Sequence, residues 1–130
     1  MPIEISSSRV VSISVGMDSK EVLFMAYANQ LDFPAYFGQN WDAFLDCLRD
    51  LSWVKERNIV IEHAGLPLEK SPIESLIYLQ ILEAAIDSWN EYRPEVGSHN
   101  PESWAYVEHK IFVSFPADLE SKISELRKVS

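Results

Sequence analysis

Residues 33–53 read FPAYFGQNWDAFLDCLRDLSW, and the pattern of this stretch decides what the chain folds into. Gly38 and Asn40 read as a turn followed by a helix N-cap, because an asparagine side chain accepts a hydrogen bond from a free backbone N–H of the next turn. Beyond that cap, Trp41, Phe44, Leu45, Leu48 and Leu51 recur at helical spacing and form one apolar stripe. Gln39, Asp42, Asp46 and Asp50 line the opposite side, four residues apart from Asp42 onward. Like charges at that spacing cost an isolated helix roughly 0.2–0.5 kcal/mol per pair. The row is therefore either a solvated face or an acidic face with a use, and the residues alone leave both open.

Outward from this helix the chain alternates between two periodicities. Upstream, Pro34 stops a helix expected over Lys20–Gln30, capped by Asp18 or Ser19, with Val22, Leu23, Met25, Ala26 and Tyr27 offered to the core. Before it, Arg9–Val15 alternates large apolar and small residues as a β-strand does, and Gly16 ends it. Downstream, Asn58–Glu62 is a branched run fit for a buried parallel strand, and Leu66–Pro72 is a loop with two prolines. Ile73–Tyr92 is the longest helical pattern. Its expected buried stripe is Tyr78, Ile81, Leu82, Ala85, Ile86 and Trp89; Gln80, Glu83, Asp87 and Glu91 form its wet face. Pro94, Gly97 and Pro101 punctuate Arg93–Tyr106 as a long loop. Lys110–Phe115 is a third strand, Pro116 closes it, and Leu119–Val129 reads as a short terminal helix. Strands separated by helices predict a single α/β domain over 1–130, with a small three-stranded parallel sheet, right-handed crossovers and an added C-terminal helix.

The chain has 130 residues, 47% of them hydrophobic and 12% aromatic, which suits a globular fold rather than disorder. No apolar run is long enough to cross a bilayer, and the N-terminus has no basic start followed by an apolar stretch. A single cysteine excludes an internal disulfide framework and suits a reducing compartment, so a cytoplasmic location is expected. With 20 acidic and 11 basic residues the net charge is −9, which disfavours direct binding to nucleic acid and favours a basic partner. Solubility alone would also account for that charge.

The segment YFGQNWDAFLDCL, Tyr36–Leu48, resembles the signature segment of the barstar family, intracellular protein inhibitors of small secreted ribonucleases. Tyr36, Gly38, Asn40, Asp42, Ala43, Asp46, Cys47 and Leu48 fit its frame together, fixing the turn, the cap and both carboxylates. The likeness is dense over Pro34–Glu62; elsewhere only the order of elements agrees. It implies a barstar-like sheet flanked by helices and an inhibitor of a basic ribonuclease or ribonuclease toxin, with no cofactor. It further implies that Asp46 is the central anchor entering the nuclease active site, that Asp42 pairs with a basic group beside it, and that Tyr36, Gly38 and Asn40 lie at the contact. Leu45 stands where the family often has tryptophan, and Arg49 where it has a small polar residue. Trp53 matches a contact tryptophan once two extra residues are allowed before it. A second acidic contact falls to Glu83, Asp87 or Glu91.

The residues for other chemistry are not assembled. Cys47, beside Leu48 on the flank of an amphipathic helix, is expected to be a buried, inert thiol. His63, His99 and His109 have no partner at metal-ligand spacing and are expected to be surface or half-buried histidines. Asp42 and Asp46 on adjacent turns of one exposed face lack the contrasting environments that acid–base work needs. Asp42 also suits a helix N-terminus, where negative charge is stabilising by about 0.3–1 kcal/mol. The expectation is a protein without catalytic residues or metal, inhibiting by occlusion. The alternative is a barstar-like scaffold regulating a non-nuclease partner, to which Arg49, the 93–106 loop and the tail would contribute.

Overall fold

The computed structural model describes residues 8–34, 37–91 and 108–129; Tyr36, His99 and the Arg93–Tyr106 loop lie outside them. Strand β1 (Ser8–Ile13) is followed by helix α1 (Lys20–Leu31) and helix α2 (Trp41–Asp50), then strand β2 (Asn58–His63) and helix α3 (Pro72–Asn90). Strand β3 (Lys110–Ser114), a 3₁₀ turn at Ala117–Leu119 and helix α4 (Glu120–Val129) complete it. The strands form a parallel sheet in the order β1-β2-β3, with Val10, Val60 and Phe112 in one register row. This is the expected α/β architecture, with four helices among the described residues, the last of them the added C-terminal one.

Alternation along the strands separates two faces. Val11, Ile13, Ile59, Ile61 and Ile111 are buried against the helices. The other face carries Val10 and Phe112, 47% and 50% exposed, with exposed Ser12, Glu62 and Ser114 in the next row. Strand β1 stops at Ile13, two residues short of the expected end, and Val15 is 69% exposed. Gly16 turns the chain at φ 82°, a conformation open to glycine without steric cost.

Helix α1 starts where Ser19 Oγ accepts the Val22 N–H at 3.2 Å. Its core face differs from the expected one. Leu23, Phe24, Tyr27 and Leu31 are buried, whereas Val22 and Met25 are about half exposed. The helix is apolar on nearly every side, so periodicity carried no direction; packing on the sheet chose the face. On α3 the expected stripe holds, with Leu79 and Ser75 also buried and Ile86 only partly so.

The histidines require a correction. His63 is 6% exposed, with both ring nitrogens met, and His109 is fully buried, with Nε2 held by the Leu51 carbonyl. His63 Nδ1 lies 2.9 Å from the Ser114 carbonyl and Nε2 lies 2.7 Å from the Tyr78 hydroxyl, which is 2.5 Å from that of Tyr27. A carbonyl only accepts, so Nδ1 carries the proton and Tyr78 donates to Nε2. Tyr27 in turn donates to Tyr78. Burial lowers the His63 pKa to about 4, so the ring is neutral, and it stacks on Phe115 at 4.0 Å. The same burial raises both tyrosine pKa values well above the usual range.

Ion pairs of Arg127 with Glu83 at 2.5 Å and of Lys122 with Glu69 tie α4 to the rest of the chain.

A candidate inhibitory helix face

Helix α2 is fixed at both ends by side chains. At its start Asn40 Oδ1 accepts the Ala43 N–H at 2.8 Å, as the sequence spacing predicts. The left-handed residue of the preceding turn is Gln39, φ 56°, rather than Gly38. Gly38 serves by its size: a Cβ there would stand 3.3 Å from Asn40 Nδ2 and 3.6 Å from the Ala43 Cβ. Asn40→Ala is expected to cost about 0.5–2 kcal/mol of stability, read as a lower urea midpoint; Gly38→Ala should cost a fraction of it.

At the other end three carbonyls that a helix leaves open are taken up. Leu51, buried and left-handed at φ 48°, donates its N–H to the Cys47 carbonyl at 3.1 Å. Trp89 Nε1 on α3 donates to the Leu48 carbonyl, and His109 Nε2, just before β3, meets the Leu51 carbonyl, each at 2.9 Å. Trp89 and His109 are the residues that sequence reasoning missed here; their partners lie 41 and 58 positions away. Trp89→Phe keeps most of the packing but strands a buried carbonyl. We expect a loss of about 1–3 kcal/mol in chemical denaturation, with faster amide exchange confined first to the last turn of α2.

Between these clamps the apolar side seats Phe44, Cys47 and Leu48 in the core, with Phe44 edge-on to Tyr27 at 4.7 Å. Trp41 and Leu45 are half-buried against the same cluster. Asp42, Asp46, Arg49 and Asp50 face outward, with the Asp46 side chain 74% exposed and that of Arg49 48%. Arg49 is paired with Asp46, Nη2 to Oδ1 3.8 Å. Cys47 is 8% exposed; burial first, then the Asp50 and Asp46 carboxylates, raise its thiol pKa, so it stays protonated.

Trp53 is half-buried edge-on to Phe33 at 6.1 Å, and its Nε1 donates to the Leu31 carbonyl at 2.7 Å. It is a braced ring rather than a free one. Tyr36 lies outside the described residues. Glu83 and Asp87 on α3 and Glu91 at its C-cap are exposed, and Glu83 is engaged by Arg127. Among the described residues no group of three or more His, Cys, Asp or Glu could hold a metal ion, and no helix is long and apolar enough to cross a membrane.

Residues 9–98 match the family model described as Barstar (barnase inhibitor). That span takes in α1, the whole of α2, β2 and α3, while β3 and α4 lie beyond it. No curated protein matches the chain.

Proposed function

Because this chain belongs to the barstar family, we propose that it is an inhibitor of a small basic ribonuclease, acting in the cytoplasm as an immunity protein and having no catalytic activity of its own. The acidic face of α2 occludes the nuclease active site. Asp46 stands in for an RNA phosphate and accepts charge-assisted hydrogen bonds from the cations that would bind it. Asp42 takes a neighbouring cation, Gly38 and Asn40 with Tyr36 approach the partner backbone, and Leu45, Arg49 and Trp53 border the contact. The observation that carries this reading is the exposed Asp46 carboxylate on a helix clamped at both ends. A carboxylate held by a stiff element loses little freedom on binding, which is where preorganisation gains affinity. Glu83 is already engaged by Arg127, so Asp87 and Glu91, on either side of Trp89, supply the second acidic contact.

The test is RNA cleavage by barnase and by a panel of small basic ribonucleases, with and without stoichiometric protein. Loss of cleavage for at least one enzyme is expected; full activity throughout would remove the reading. A regulatory module for a non-nuclease partner is the second reading, favoured by α4, which lies outside the matched span yet is ion-paired to α3. Capture of a non-nuclease protein that α4 variants fail to retain would favour it.

A further inference from the structure

Arg49 is the one cation on α2, and it sits within a face otherwise made of Asp42, Asp46 and Asp50. Its position in the last turn suits the helix dipole, but the guanidinium is turned back toward Asp46. At 3.8 Å this is an ion pair and too long for a hydrogen bond, so the donors of the guanidinium are left to spend elsewhere. A partner cation arriving on Asp46 therefore arrives beside a positive charge. A uniformly basic groove meets repulsion there, whereas a groove with a carboxylate next to its cation meets a planar fork suited to bidentate pairing. The two positions are three apart on the helix, a rise of about 4.5 Å, and their charged ends are 3.8 Å apart, so the partner carboxylate must lie directly beside the cation that takes Asp46.

We propose that Arg49 sets which ribonuclease this inhibitor accepts, by requiring an acidic side chain beside the cation that engages Asp46. The inference rests on the inhibitory reading above and adds the identity of its selectivity element. Arg49 acts as a filter: it lowers affinity for nucleases whose site is basic throughout and raises it for those that offer the neighbouring carboxylate.

The experiment compares wild type, Arg49→Ala, Arg49→Glu and Lys128→Ala by binding kinetics against the same ribonuclease panel, barnase included. Lys128 is exposed on α4, so its variant makes the same change in net charge as Arg49→Ala away from the acidic face. For the enzyme bound best by wild type, Arg49→Ala is expected to raise Kd at least tenfold, mainly through koff, and Arg49→Glu at least a hundredfold. For enzymes bound poorly, Arg49→Ala should leave Kd unchanged or improve it severalfold, compressing the ranking. Lys128→Ala should alter only kon, and alike for every enzyme. Binding with a ranking unchanged by Arg49→Ala, or changed equally by Lys128→Ala, overturns the filter and leaves the inhibitory reading standing. Absence of binding by all four proteins overturns both.

Discussion

Asp46→Ala is expected to abolish useful inhibition while leaving the fold intact. The side chain is 74% exposed and its one ion pair, to Arg49, is long, so its removal should shift stability by no more than about 0.5 kcal/mol. In the proposed complex the same carboxylate would be desolvated among partner cations, and its loss would leave those cations buried and unpaired. Truncations of that kind cost about 2–5 kcal/mol, roughly 30- to several-thousand-fold in Kd. The scale is that of the barnase–barstar complex itself, the reference case for such pairs. The loss should appear in koff, whereas added salt should mainly slow association by screening the long-range field of a chain of net charge −9. Surface plasmon resonance at two salt concentrations separates the effects, and a variant that still dissociates as slowly as wild type would show that Asp46 is not the anchor.

Acid is expected to undermine the fold through His63. Its ordinary pKa is 6.5 and burial lowers it to about 4, so between those values the unfolded chain takes up a proton that the folded chain refuses. The stabilising contribution is complete above pH 6.5, falls as pH drops through the window, and is gone near pH 4. One proton over that interval amounts to about 3 kcal/mol, a large share of the 5–15 kcal/mol typical of a domain. Urea midpoints measured from pH 7 to pH 4 should fall accordingly, and the imidazole resonances of His63 should stay in the neutral form down to about pH 4. Tyr78→Phe attacks the same network at neutral pH. It deprives His63 Nε2 of its donor and the Tyr27 hydroxyl of its acceptor, so a loss of about 2–4 kcal/mol is expected. A near-wild-type midpoint for this variant would mean that water reaches the network.

What the sequence made legible was local. Asn40 and the recurrence of Phe44 and Leu48 specify α2, its cap and its wet face within one short window, and the spacing of Asp42 and Asp46 is legible with them. Strand alternation and the punctuation by Gly16, Pro34 and Pro116 were enough for the parallel three-stranded sheet. The failures came where the deciding partner is far along the chain. Val22 and Met25 looked as apolar as Phe24, and only the position of the sheet distinguishes them. His63 and His109 read as surface or half-buried residues because the carbonyls that hold their rings inside, those of Ser114 and Leu51, lie 51 and 58 positions away. The clamp on the last turn of α2 is of the same kind: Trp89 reads from sequence as core, and its N–H has no visible addressee until α3 is laid against α2.

The exposed side of the sheet offers a practical handle. Ser12 and Ser114 lie there on the outer strands, and the face carrying Val10 and Phe112 is turned away from the layer that holds α2. A cysteine introduced at either serine gives a point for attaching a fluorophore or a sensor chip, since Cys47 is too enclosed to compete for the reagent. Molecules grafted in that way would all stand with their aspartates pointing into the liquid, an ordered layer in which every copy presents the same helix face to whatever is passed over it.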